Sequence, residues 1–177
     1  MALQHLSPDD LDAVSLGIAF LRVGAGVTLA AHGWYHFFGG GRIAGTARWF
    51  DSMGMRPGKA HAILASCTEL GAGALIALGL FTPLACAACV ALMIVASYTV
   101  HLKNGFFSVR NGWEYTGILA LVGVAIATIG PWKYSVDYAL DLAFRFNGLT
   151  GLAIALVVGI GGALLQLGLF YRPPDES

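Results

Sequence analysis

Three titratable side chains near the ends of apolar segments are the first candidates for chemistry. They are His32, His101 and Glu114. If the segments are helices, a rise of about 1.5 Å per residue puts all three about 24 to 27 Å from the same membrane face. A histidine beside a carboxylate titrates near neutral pH, so such a cluster could relay protons or hold a quinone headgroup oxygen. The alternative is that these histidines only face water among the headgroups.

Two charged residues fall deeper within the apolar segments. Counted in the same way, Arg22 lies about 12 Å and Glu69 about 16 Å from that face. Charged side chains at such depth are costly, and they usually face the interior of a bundle and pair. The sequence therefore predicts an Arg22–Glu69 ion pair between two helices, with a purely structural role as the simpler interpretation.

Two cysteines, Cys86 and Cys89, form a C-x-x-C pattern at the start of an apolar segment. At the N-terminus of a helix such thiols can be reactive and exchange disulfides. The same residues are equally typical of the small side chains that pack membrane helices. No set of residues has the spacing of a zinc site, so no metal is predicted.

The last apolar segment carries a stripe of small residues, one at every fourth position. Its members are Gly151, Ala155, Gly159 and Ala163. A stripe of this kind allows another helix to approach closely. Spacing alone leaves open whether that helix belongs to the same chain, so self-association or binding of another subunit through the stripe is a hypothesis.

Membrane helices are the elements that must position these residues. The chain has 177 residues, of which 57% are hydrophobic and only 11% are charged, against roughly 25% charged in an average soluble domain. This composition excludes soluble, disordered and nucleic-acid-binding classes and predicts an integral membrane protein surrounded by lipid. Five segments approach the length of about 20 apolar residues that a spanning helix needs. They cover residues 11–38, 59–80, 83–102, 112–129 and 149–171.

Charge outside these segments predicts an orientation. Residues 43–53 have the pattern of a short amphipathic helix in the headgroup region. Seven basic residues fall on one side of the membrane, namely Arg42, Arg48, Arg56, Lys59, Lys103, Arg110 and Arg172. The other side has Lys133 and Arg145. The positive-inside rule then predicts an N-out, C-in bundle.

A series of short motifs runs through roughly residues 14 to 140. It comprises His32-Gly33, a Phe50-x-x-Met53-Gly54-Met55-x-Pro57 stretch, Glu69-x-Gly71-x-Gly73, Gly79-Leu80-x-Thr82-Pro83, Asn111-Gly112-x-Glu114, Gly130-Pro131 and Ser135-x-Asp137. In their order and spacing these motifs resemble the DoxX family of small bacterial membrane proteins. The chain departs from the family pattern after His32-Gly33, where Trp-Tyr-His replaces a lysine-containing stretch.

The resemblance implies a four-helix membrane core over residues 1–147, within a single membrane domain that adds a fifth helix and tail over residues 148–177. Family members are generally described as components of membrane oxidoreductases. The resemblance thus implies a bacterial cytoplasmic membrane, a quinone as candidate cofactor and redox-enzyme subunits as partners. The motif positions that it carries over are His32, Glu69, Glu114, Ser135 and Asp137.

The leading hypothesis is a membrane subunit of a redox complex that contacts a quinone or relays protons linked to quinone chemistry. Glu114, His32 and His101 would do this work, and Asp137 would end the fourth segment near the two cysteines. The rival hypothesis is a non-catalytic assembly subunit that works through the small-residue stripe and residues 43–53. A small-anion transporter using Arg22 is less favoured, because the chain has no paired broken helices.

Overall fold

The computed structural model describes residues 7–143 and 146–174, and within them every regular element is a helix. We number the helices in chain order. They are α1 (Pro8–Phe38), α2 (Arg42–Ser52), α3 (Gly58–Leu78), α4 (Thr82–Asn104), α5 (Glu114–Ile129), α6 (Val136–Ala139) and α7 (Gly148–Phe170). Two of them contain a π-helical turn, Ser97–His101 in α4 and Ile154–Val158 in α7. The last turn of α4, Leu102–Asn104, is a 3₁₀ helix.

The all-α membrane class is confirmed by the length and composition of these helices. In the described residues, α1, α3, α4 and α7 are long and apolar enough to cross a membrane. The fifth apolar helix, α5, has 16 residues and covers about 24 Å, somewhat less than a hydrocarbon core of about 30 Å. The predicted amphipathic helix over residues 43–53 is present as α2. The chain is therefore a multi-pass membrane protein.

Glycines set the register between α1 and α3. A Cβ atom on Gly26 would collide with Gly73 and Ala77. One on Gly33 would collide with the Cβ of Glu69 and with the backbone of Ser66 and Leu70. The two antiparallel helices therefore approach closely over this length. With Gly26 opposite Gly73 and Ala77, the end of α3 at Leu78 lies near Arg22. About 14 residues of α1, or about four turns, therefore extend past it.

Helix α4 is the centre of the bundle, because α3, α5 and α7 all pack against it. The main hydrophobic cluster joins residues of these helices with Leu29 of α1. Its largest buried members include Leu29, Ile76, Met93 and Ile126. This arrangement holds the helices that surround the candidate site in fixed positions.

The small-residue stripe of α7 packs inside the chain. A Cβ on Gly151 would collide with α5, and one on Gly159 would press into α4. Ala155 and Ala163 have no exposed surface. The hypothesis that this stripe binds another subunit or a second copy is wrong, because α4 and α5 already occupy it.

The seven basic residues predicted on one side of the membrane all lie at one end of the bundle, in α2, in loops, or in the first or last turn of a helix. Residues 39–57, 105–113 and 171–174 lie at this end, which we call the basic end. An isolated β-bridge joins Met55 to Tyr171 there, and the Arg172 N–H donates to the Gly54 carbonyl at 2.8 Å. Lys133 lies at the opposite, N-terminal end, and Arg145 lies outside the described residues. The charge asymmetry is present in the fold, while the N-out, C-in orientation stays a prediction.

Candidate functional site

A small, partly open cavity near the basic end brings acid, base and amide side chains together. It has a volume of about 80 Å³ and lies between α1, α2, α3, α4 and α7. Its polar lining consists of His36, Glu69, Thr99, His101 and Gln166. Its apolar walls include Trp49, Phe50, Met53 and Met93.

Helices α1 and α3 position the central pair of this cavity. Gly33 brings α1 against α3 at the level of Glu69, and His36 follows one turn later on the same face of α1. Nε2 of His36 lies 3.5 Å from Oε2 of Glu69. That carboxyl oxygen is buried and has no hydrogen-bond partner among the described residues. A buried acid and a base thus face each other with unused hydrogen-bonding capacity.

Helix α2 covers the other side of the His36 ring. The Trp49 ring is stacked at 6.4 Å between centroids, and the Thr46 hydroxyl lies 3.5 Å from Nδ1 of His36. The amphipathic sequence of α2 explains this position, because its buried Phe50 faces the bundle. The imidazole is therefore held between an indole, a hydroxyl and the Glu69 carboxyl.

The π-helical turn of α4 places His101 on the cavity wall. Such turns occur frequently at functional sites because they change the direction of side chains within a helix. Nδ1 of His101 lies 2.8 Å from the carbonyl oxygen of Asn111. Since a carbonyl only accepts, Nδ1 carries the proton, and in the neutral ring Nε2 is the free base.

Helix α7 completes the cavity with Gln166. Nε2 of Gln166 lies 3.2 Å from Nδ1 of His61, and the buried His61 ring packs edge-on against Phe170 at 4.9 Å. Sequence reasoning missed His36, His61 and Gln166 as site residues. The only signal was the spacing of His32 and His36, which places both on one helix one turn apart.

The predicted cluster of His32, His101 and Glu114 is wrong. Glu114 accepts hydrogen bonds from the backbone N–H and hydroxyl of Ser108, both at 2.8 Å. His32 is exposed on α1, with its ring 5.4 Å from that of Tyr115. Equal depth did not bring the three together because Glu114 begins α5, and its side chain points back to the preceding loop. Only His101 faces the cavity.

The predicted Arg22–Glu69 ion pair is also wrong. The Arg22 guanidinium donates to the carbonyls of Ile76, Ala77 and Tyr134 at 3.1, 2.8 and 2.5 Å, and its Nε has no partner among the described residues. These carbonyls at the C-terminal end of α3 carry partial negative charge. The depth estimate failed because it assumed that α1 and α3 end at the same level, whereas α1 extends beyond α3.

Asp137 caps a different helix from the one expected. It accepts hydrogen bonds from the N–H of Phe81, and from the N–H and hydroxyl of Thr82, at 2.7 to 2.9 Å. Asp137 therefore caps the start of α4. The sequence had suggested instead that it ends the fourth segment, which is α5. Ser135 accepts from the N–H of Tyr138 and caps the short helix α6. Both motif residues have structural roles at the N-terminal end of the bundle.

The two cysteines of the C-x-x-C pattern are core residues. Cys86 and Cys89 are free, with 0% and 3% exposure, and both belong to the main hydrophobic cluster. The structure therefore favours the interpretation that these cysteines pack the helices. A thiol enclosed in the core is out of reach of a partner for disulfide exchange. Among the described residues there is also no group of three or more His, Cys, Asp or Glu placed to hold a metal ion.

The cavity is suited to proton exchange between an acid and a base. A volume of about 80 Å³ can hold a few water molecules but is about half the 150 Å³ of a cavity that binds benzene. Water in it would meet the Glu69 carboxyl, the His36 ring and the free face of His101. The arrangement can therefore take up, hold and pass a proton in an otherwise apolar surrounding.

Comparison with protein families gives one match. The DoxX family model matches residues 17–102, a stretch that runs from α1 almost to the end of α4 and includes His36, Glu69 and His101. Comparison with curated proteins and with solved structures gave no match. Helices α5, α6 and α7, and with them Gln166, lie outside the matched stretch.

Proposed function

Because the chain belongs to the DoxX family of membrane proteins, we propose that it is the membrane subunit of a redox complex and relays protons linked to quinone chemistry. The observation that carries this proposal is the His36–Glu69 pair, 3.5 Å apart in a cavity, with a buried carboxyl oxygen that has no hydrogen-bond partner among the described residues. An ionisable residue inside a membrane is a functional candidate by default, because its burial is costly.

Two of the buried ionisable residues, Arg22 and Glu69, differ in their surroundings. Arg22 is bound by three carbonyl oxygens, and Asp137 is close enough to interact with its charge. Among the described residues, Glu69 has only the imidazole of His36, at 3.5 Å. An unpaired buried polar group lowers stability, so the incomplete pairing of Glu69 favours a role in chemistry over a role in holding helices together.

A quinone supplies the redox chemistry when bound: reduction by two electrons from a partner enzyme adds one proton at each of its two oxygens. The residues of this chain handle the protons. Glu69 and His36 hold and exchange a proton across their 3.5 Å contact. Nε2 of His101 is a further base on the wall, and Trp49 and Met53 form part of its apolar lining. The electron source is a redox-enzyme subunit of the same complex.

The position of the site in the bundle favours exchange with one compartment. The cavity lies near the basic end, and the positive-inside rule places that end toward the cytoplasm of a bacterial cytoplasmic membrane. Helix α2, which lies between the cavity and that end, would rest in the headgroup region. Protons would then enter and leave the site from the cytoplasmic side.

Tryptophan fluorescence gives a direct test, because one of the four tryptophans lines the cavity. In a variant with Trp34, Trp113 and Trp132 replaced by Phe, Trp49 is the only indole. We expect decylubiquinone to quench this emission saturably in lipid nanodiscs. We expect the Glu69→Gln variant to bind the quinone at least about tenfold more weakly, because a site built to hydrogen-bond its ligand loses affinity when one bonding group is changed.

The matched control is Glu114→Gln, which removes a carboxylate that serves only the loop before α5. This variant should bind the quinone as the parent does. Absence of saturable quenching in the parent, or equal binding by the Glu69→Gln variant, would refute the proposal. Recovery of a redox enzyme with the tagged protein in mild detergent would identify the electron donor.

A further inference from the structure

A groove lined by small side chains runs along the lipid-facing side of α3, α4 and α7. Its first part, of about 440 Å³, begins at Phe81 and lies between α3 and α4. Its second part, of about 210 Å³, lies between α3, α4 and α7. Thr68 and Ala88 line both parts, so the two are stretches of one groove.

The groove exists because small residues leave space where α3 and α7 both pack against α4. They are Gly71, Ala72, Ala85, Ala88, Ala91 and Gly162. From Leu75 to Leu64, α3 rises by about 16 Å along the groove. Apart from the Thr68 hydroxyl the walls are apolar until Gln166, where the groove meets the cavity of the candidate site.

One polar side chain separates the groove from the cavity. Ala65, Leu92 and Gln166 line both spaces. Of these three, Gln166 has a long, flexible side chain that can change rotamer without moving a helix. Its hydrogen bond to Nδ1 of His61 holds it in the dividing position, and Nε2 of His61 has no partner among the described residues.

The volumes of the cavity and of the groove on either side of Gln166 limit the size of the ligand that the site can hold. The cavity alone, at about 80 Å³, is smaller than the roughly 150 Å³ that accommodates a benzene ring. The adjoining part of the groove adds about 210 Å³. Movement of Gln166 would therefore join the cavity to this part of the groove, and the joined space is large enough for a ring.

We propose that the groove and the cavity together bind an isoprenoid quinone, with the tail in the groove and the ring reaching His36 and Glu69 past Gln166. This inference rests on the proposed function and adds a tail site, a route from the lipid and a gating residue. No lysine or arginine lines the groove or the cavity, so the phosphate of a phospholipid has no countercharge there. The neutral oxygens of a quinone could accept hydrogen bonds from the imidazole and amide groups that line the cavity.

The test compares two glycines at which an added Cβ atom would meet no neighbouring atom. Gly71 lines the groove and Gly161 lies on α7 outside it, and a Cβ at either position has nothing within 4 Å. We expect Gly71→Phe to weaken binding of decylubiquinone, measured by Trp49 quenching, by at least about tenfold. The same quinone ring without its tail should bind unchanged. The Gly161→Phe variant should bind both as the parent does.

Gln166→Ala tests the gate separately. Removal of the divider should speed the association of the tail-less ring in stopped-flow quenching, and an unchanged rate would contradict gating by Gln166. If Glu69→Gln weakens quinone binding but Gly71→Phe does not, the proposed function stands and the groove is not the tail site. If the parent binds neither the tailed nor the tail-less quinone, both proposals fail.

Discussion

Replacement of Asp137 by Asn should destabilise the bundle far from the candidate site. The two carboxyl oxygens accept three hydrogen bonds at the start of α4, at 2.7 to 2.9 Å. An amide keeps one oxygen and turns an NH₂ group toward the remaining donor. One unmade bond costs about 1 to 3 kcal/mol, and the other two lose the roughly twofold strength of a charged acceptor. The expected loss is about 2 to 4 kcal/mol in the free energy of unfolding.

Thermal unfolding in detergent, followed by circular dichroism, measures this loss. For a chain of this length, 1 kcal/mol corresponds to about 2 to 4 °C, so Tm should fall by about 4 to 16 °C. Asp141→Asn is the matched control, because it removes the same charge from an exposed side chain four residues away. Equal Tm values for the two variants would refute the role of Asp137 as the cap of α4.

Three further predictions follow from contacts described above. Arg22→Met leaves three carbonyls without their donor and should cost about 3 to 5 kcal/mol of stability; loss of quinone binding with an unchanged Tm would show a functional role instead. Gly33→Leu should abolish quinone binding, because it forces α1 away from Glu69, whereas Gly24→Leu, which faces open space, should bind normally. The hydrogen bond and charge of Asp12 raise the pKa of Lys133 above its ordinary value of 10.5. The stabilisation from this pair is therefore present below pH 10.5 and is lost as the pH rises through the raised pKa. The Tm values of the parent and of Lys133→Met should thus converge in strong alkali. A difference in Tm that does not change with pH would contradict the pairing.

The helices could be predicted from the sequence because each follows from a long local run of apolar residues. All five predicted segments are helices, and α2 follows from the spacing of its apolar residues over 43–53. The start of α1 also follows from the sequence, because Ser7 is a typical N-cap residue and Pro8 suits the first helical position. In the structure Ser7 and Asp10 form a capping box, and the helix begins at Pro8.

The partners of the polar residues could not be predicted, because depth along a membrane normal is only one of three coordinates. The register of α1 against α3 depends on Gly26 and Gly33 meeting a particular stretch of α3. Those glycines are visible in the sequence, but which residues they face is not. Once the register is known, His36 falls opposite Glu69, and Arg22 falls opposite the end of α3.

The bridge between Met55 and Tyr171 has a consequence for synthesis of the protein. It joins the loop after α2 to the residue after α7, which are far apart in the chain and are made at different times. During translation α1 to α4 enter the membrane with the His36–Glu69 pair lacking the wall that Gln166 provides. Insertion of α7 encloses the pair, and pairing of its end with the earlier loop then fastens that wall in place. The cavity is thus completed only after His36 and Glu69 are already in the bilayer.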